Sequence, residues 1–205
     1  MKLRSDSFEH GARIPQRYAM GKHSAATHAE PSDNVNPHLA WSELPAGTRS
    51  LAVICVDASA PTSPENVNKP GVTVPAALPR ANFYHWALVD LPADSAPIAE
   101  GELCKGLTPR GKGASSPRGR HGINDYTMWF EGDADMAGDY YGYDGPWPPF
   151  NDEIVHAYTF TVYALDLYTV AVDGRFRATD VLAAIEGHIL GQASITASYA
   201  INPDV

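Results

Sequence analysis

Three stretches of the chain carry strand patterns, either short apolar runs rich in β-branched residues or apolar and polar positions alternating with a period of two. Ser50 to Asp57 (SLAVICVD) is rich in β-branched residues and predicts a buried strand. Ala81 to Pro92 (ANFYHWALVDLP) predicts a second, stopped by Pro92. His156 to Leu167 (HAYTFTVYALDL) predicts a third and is the clearest of the set. Tyr126 to Phe130 (YTMWF) reads as a fourth, shorter strand. One helix is expected near the C-terminus. Thr179 or Asp180 is suited to cap it, Val181, Leu182, Ile185, Ile189 and Leu190 form its apolar stripe, and Gly191 sits where it would stop. Strands dominate and do not alternate with helices, so a mainly antiparallel β fold with a few peripheral helices is expected.

Length and composition sharpen this picture. The 205 residues fit one domain with a full core. Residues 1–35 are polar and carry scattered histidines without metal-ligand spacing. They are read as a loosely structured segment with one short strand. The net charge of −9 argues against a nucleic-acid binder but leaves room for a small anionic ligand, since a local pocket can oppose the global sign. Cys55 and Cys104 are too few for a disulfide framework. No apolar run is long enough to span a bilayer, the first residues lack the apolar stretch of a secretory signal, and a cytoplasmic location is expected. Two loops look additional. Residues 62–80 are proline-rich, and residues 105–121 are basic and precede an acidic stretch; both read as solvated surface.

Chemistry enters through polar groups on apolar strand faces. Period-two alternation places Asp57 with Leu51, Val53 and Cys55; His85 with Phe83, Ala87 and Val89; and His156 with Tyr158, Phe160 and Val162. Each strand thus puts one ionisable group on a greasy face. Taken singly, each has an ordinary reading as a satisfied core histidine or a turn-starting aspartate. Together they suggest a cluster, because a buried charge without partners costs several kcal/mol. Just before His156, Gly145, Pro146, Trp147, Pro148 and Pro149 make a stiff turn, since proline fixes φ and removes a donor.

With these motifs in this order the chain resembles the phosphatidylethanolamine-binding protein family, in particular its bacterial Raf-kinase-inhibitor-like branch. The resemblance covers roughly residues 36 to 200. It is carried by NPHLAWSELPAGTRSLAVICVDASAP (36–61), FYHWALVDLP (83–92), GIND (122–125) and YDGPWPPFNDEIVHAYTFTVYALD (143–166). It implies an antiparallel Greek-key β-sandwich with an anion pocket at one end, formed here by Asp57, Ser59, His85, Gly145, Pro146, His156 and Tyr158. Ser59 stands where the motif has a second aspartate, and Trp147 where it has a cysteine. The function implied is binding of a phosphate or phosphoethanolamine-type head group, with inhibition of a partner kinase or protease as a further role and a hint of a homodimer.

In such a pocket His85 and His156 would each donate an N–H, backbone N–H groups near Gly145 would approach the anion, Tyr158 would add a hydroxyl, and Asp57 would accept from a histidine. No cofactor is implied. A metal-dependent enzyme with Asp57, His85 and His156 as ligands is the alternative, although the close His-x-Asp/Glu spacing of a two-histidine, one-carboxylate site is missing. Ser59 and Cys104 qualify as nucleophiles only by residue type, and neither a Gly-x-Ser-x-Gly elbow nor a phosphate-binding loop is present. The expectation is therefore a binding protein, not an enzyme.

Overall fold

The three strands marked by alternation form the middle of a five-stranded antiparallel sheet. In the computed structural model, which describes Met1–Val205, they run as β5 (Ser50–Pro61), β6 (Arg80–Pro92) and β8 (His156–Leu165). Four short elements come earlier or between: β1 (Lys2–Arg4), β2 (Gly21–Ser24), β3 (His28–Pro31) and β4 (Ala40–Ser42). β7 (Arg120–His121), α1 (Tyr126–Trp129), α2 (Ala178–Ala184) and β9 (Ile189–Tyr199) complete the set. The sheet order is β7-β6-β5-β8-β9, while β1 pairs with β4 and β2 with β3. Reading β8-β5-β6-β7 across the sheet gives fourth, first, second, third, the Greek-key arrangement.

Both faces of this sheet are covered. On one face Leu51, Val53 and Cys55 of β5, Trp86 and Leu88 of β6, and Tyr158, Phe160 and Val162 of β8 pack beneath Phe8, Ile14 and Tyr18 from the N-terminal segment. On the other, Ala52, Ile54, Ala87 and Val89 meet Phe176, Val181 and Ile185 around α2. A fully buried side chain such as Phe160 contributes about 1.5–3 kcal/mol relative to exposure.

Four expectations are corrected. Residues 1–35 are not loose. They supply three strands and a 3₁₀ turn (Gln16–Tyr18) and bury Phe8, Ile14, Tyr18, Ala19 and Met20. Their backbone also covers the outer edge of β9, through Gly11 N–H to Thr196 O (2.8 Å) and Ile14 N–H to Ser198 O (2.8 Å). Tyr126 to Phe130 is not a strand. The Asn124 side chain accepts from the Tyr126 N–H and starts the helical turn α1. The C-terminal helix is shorter than its apolar spacing suggests: Gly187 takes φ +83°, and Ile189, Leu190 and Gly191 begin β9 instead. Its first turn is tied by the Asp180 carboxylate, which accepts from the Arg177 N–H at 2.7 Å. The basic loop is not simply solvated. Lys112 reaches the buried Asp144, and Arg120 pairs with Asp90 while donating to the carbonyls of Val170 and Val172.

One irregularity positions the functional residues. Cys55 pairs with Trp86, but the next residue, Val56, pairs with Tyr84, so His85 is an extra residue in the ladder. This β-bulge breaks the period-two rule. Ala87 and Val89 stay on the α2 side, whereas His85 joins Trp86 on the opposite face, beside Asp57 and Tyr158. The expectation that His85 shares a face with Ala87 and Val89 is thereby overturned.

Candidate functional site

At the end of the sheet where the bulge lies, a cavity of about 420 Å³ opens. Asp57, His85, His156 and Tyr158 line it. All four are buried, with His156 and Tyr158 each 1% exposed.

The two histidines differ in every respect that matters chemically. His156 Nδ1 donates to Asp57 Oδ2 at 2.7 Å and Nε2 to Asp152 Oδ2 at 3.1 Å. Burial opposes its charge, but the hydrogen bonds to Asp152 and Asp57 outweigh that and push its pKa up to about 9. It is an imidazolium with both N–H groups committed. Behind it, Arg80 clasps Asp152 with two nitrogens at 2.6 and 3.0 Å, and burial of Asp152 is outweighed by the bonds from His156 and Arg80, which hold its pKa down. The chain Asp57–His156–Asp152–Arg80 alternates in sign and sums to zero charge. Asp57 Oδ1 also accepts from the Ser59 N–H at 2.7 Å. Asp57 therefore does accept from a histidine, but His156 has no N–H left for a ligand.

His85 is the reverse case. Burial lowers its pKa, against the pull of Asp57 and of its bond to the Asp144 carbonyl. The ring is neutral, and its Nδ1–H donates to that carbonyl at 2.8 Å. This leaves Nε2 with a bare lone pair, making no hydrogen bond within the protein, on a residue that lines the cavity. The Tyr158 ring lies 5.2 Å from the His85 ring, and its hydroxyl is buried without any partner.

The carbonyl that orients His85 is itself anchored. Asp144 accepts from Lys112 Nζ at 2.6 Å, Asn34 Nδ2 at 2.7 Å and Asn124 Nδ2 at 2.8 Å. Burial opposes the charge on Lys112, yet Asp144 keeps its pKa raised. The Asp144 N–H closes the loop on the His85 carbonyl at 3.1 Å. A hub of this kind fixes the tautomer and the tilt of His85.

Other expected site residues serve the frame. The Gly145 N–H is taken by Asn34 Oδ1 at 2.8 Å, so it is closed to an anion. Glycine is required there because a Cβ would fall 2.1 Å from the Tyr18 carbonyl oxygen. The Pro146 carbonyl accepts from the N–H groups of Met20 and Gly21. Besides its N–H to Asp57, Ser59 binds the frame through its Oγ, which accepts from the Ala157 N–H, and its carbonyl, which accepts from Arg80. None of Ser59, Gly145 and Pro146 lines the cavity, whereas Trp147, Pro148 and Pro149 do. The proline-rich loop contributes a wall through Val67 and Asn68, and the Asn151 side chain pins that loop by donating to the carbonyls of Asn66 and Val72.

Asp152, Arg80 and Asp144 escaped the sequence reading. Asp152 lies four residues before His156, and that spacing was its only visible signal. Asp57, His85 and His156 find no support as a metal set. Three of the four imidazole nitrogens are already engaged, and no group of three or more His, Cys, Asp or Glu side chains is arranged to hold an ion.

Comparison with known proteins agrees with the architecture. The family profile described as phosphatidylethanolamine-binding protein matches residues 4–200. UPF0098 protein YbhB of Escherichia coli (strain K12) is 31% identical over 200 residues, 98% of this chain and 100% of that one. A UPF0098 protein of Methanothermobacter thermautotrophicus is 30% identical, covering 97% of this chain and 98% of its own. The crystal structure of E. coli YbcL, described as a new member of the mammalian PEBP family, superposes with a TM-score of 0.69 at 24% identity, covering 98% of each chain.

Proposed function

The chain belongs to the phosphatidylethanolamine-binding protein family, and from that premise we propose that it is a binding module for a small anionic group of phosphate type. The observation that carries the reading is the pair of unpartnered polar atoms, His85 Nε2 and the Tyr158 hydroxyl, on adjacent rings lining one cavity. A buried polar group such as the Tyr158 hydroxyl is nearly always hydrogen-bonded, and an exception calls for a reason. A bound oxyanion supplies one. Tyr158 donates directly. His85 accepts from a protonated anion, or takes up a proton and donates. Asp57 does not repel the guest outright, because its charge is cancelled within the neutral four-membered chain. No serine, cysteine or lysine lines the cavity, which favours holding a ligand over attacking it.

Titration calorimetry with phosphate and phosphoethanolamine tests this. His85→Ala is expected to weaken binding by about 1.5–3 kcal/mol, the worth of a hydrogen bond to a charged group. Because the free imidazole is neutral and the anion favours its charged form, affinity for the wild type should rise as pH falls from 8 to 6, with proton uptake. Unchanged affinity in His85→Ala removes the proposal.

A further inference from the structure

We infer that the protein holds a second site, at the end of the sheet opposite the first cavity, and that it takes a free α-amino acid in its zwitterionic form. The pairs Ser50–Pro92 and Ser50–Leu165 mark that end of β5. A cavity of about 320 Å³ opens there among Thr48, Arg49, Asp90, Pro92, Asp94 and Tyr168, and it shares no residue with the first. Its volume sits at the lower limit of the roughly 300–1,000 Å³ typical of small-molecule sites, which suits a guest of amino-acid size.

The strand β6 is shaped at both ends by the same device. At this end Leu51 pairs with Leu91 and Val53 with Leu88, so Val89 and Asp90 together face Ala52. This is a second β-bulge, and within it Asp90 takes φ +63°. Left-handed backbone is uncommon for a residue with a Cβ, and such strain collects at ligand sites. Here the side chain holds it. Asp90 accepts from Arg120 Nε at 2.6 Å and from the Val170 N–H at 2.8 Å. With its charge cancelled by Arg120, Asp90 shapes the wall without competing for a cation.

Two other charges in the wall are left unmatched. The Arg49 backbone is fixed, its N–H donating to the Leu165 carbonyl at 2.8 Å and its carbonyl accepting from the Ala93 N–H at 3.3 Å. Its guanidinium lies 4.8 Å from the centre of the Tyr168 ring but forms no ion pair. Stacking occupies one face of the guanidinium and leaves its N–H edge open to a carboxylate in the two-pronged geometry. Asp94 lines the same cavity and likewise pairs with no cation. Opposite charges that share a cavity without meeting are matched by a guest that carries both: a carboxylate for Arg49 and an ammonium for Asp94. An anion alone would face Asp94, and a cation alone would face Arg49. In a free amino acid the two charged groups are neighbours, whereas a peptide carries them at separate ends. Pro92, Ala93 and the Tyr168 ring, which is 72% exposed, offer apolar surface to the amino acid's side chain.

The test is an NMR titration of the isotope-labelled full chain with L-leucine, with leucinamide, which lacks the carboxylate, and with 4-methylpentanoate, which lacks the ammonium. Leucine is expected to shift the amide signals of Arg49, Ala93, Asp94 and Tyr168 saturably in the millimolar range and to leave those of His85 and Tyr158 in place. Each analogue should bind more weakly by about three- to fivefold, the scale of one exposed charge pair. Arg49 and Asp94 are both exposed, so substitution there leaves the core intact. Asp94→Asn should weaken leucine by a similar factor yet tighten 4-methylpentanoate, whose repulsion it removes. Arg49→Gln should weaken leucine and tighten leucinamide for the matching reason. The second site is overturned if leucine gives no saturable shifts, if the shifts centre on His85 and Tyr158, if either analogue matches leucine, or if the two substitutions leave all three affinities unchanged. The anion reading of the first cavity stands or falls separately, on its own calorimetry.

Discussion

Stability should peak near pH 6.5 and fall by about 3 kcal/mol on either side, because two buried histidines carry opposite displacements. His156 is pushed up to about 9, and His121 is pulled down to about 4 by burial and by the nearby Lys112. Each lies roughly 2.5 units from the ordinary value of about 6.5, and a unit is worth about 1.4 kcal/mol. For His156 the folded state keeps a proton that the unfolded chain gives up above pH 6.5. Its contribution is complete below 6.5 and disappears as pH climbs to about 9. For His121 the unfolded chain gains a proton that the folded state refuses, so stability drops as pH falls from 6.5 towards 4. The lost terms correspond to real contacts: the imidazolium of His156 sits between two carboxylates, while His121 Nε2 is buried with no partner to welcome a proton. Urea denaturation at half-unit intervals between pH 5 and 9.5 measures the curve. His156→Gln should flatten the alkaline limb and leave the acid limb in place. A wild-type curve that is level from 6.5 to 9, or an alkaline limb that survives in His156→Gln, would refute the assignment of a charged, doubly bonded His156.

Two further substitutions probe the frame. Gly145→Ala drives a methyl group against the Tyr18 carbonyl, and because the obstacle is backbone the loss should reach about 1–3 kcal/mol or more, read as a lowered thermal midpoint. Asp144→Asn removes the counter-charge of the mostly buried Lys112 and should destabilise by about 3–5 kcal/mol in chemical denaturation, with His85 losing its fixed tilt.

The long central strands were legible because short apolar runs rich in β-branched residues speak locally, and β5, β6 and β8 match their expected spans closely at one end or both. The same local reasoning misled at Tyr126–Phe130, where residues that suit a strand form a helical turn because the Asn124 side chain accepts from the Tyr126 N–H and the rings pack on Phe83 and Tyr140. β9 was hidden by Ile189 and Leu190, which continue a helical spacing by chance. Its true rhythm is the buried Ile195, Ala197 and Tyr199. The N-terminal segment showed no periodicity because it covers the sheet with a few isolated anchors rather than one regular face. At the site, Asp57, His85, His156 and Tyr158 could be named from motifs, but the hub at Asp144 could not. Its partners Asn34, Lys112 and Asn124 come from three separate stretches, and no local pattern links them.

The extra residue at His85 gives the outer end of β6 a facing rule of its own. Inward from Trp86, every substitution is judged by the packed interior. Outward, Arg80 to Tyr84 answer to the cavity, the Arg80 clasp and solvent. This insertion lets selection retune what the mouth admits without turning Trp86 and Leu88 out of the packed interior.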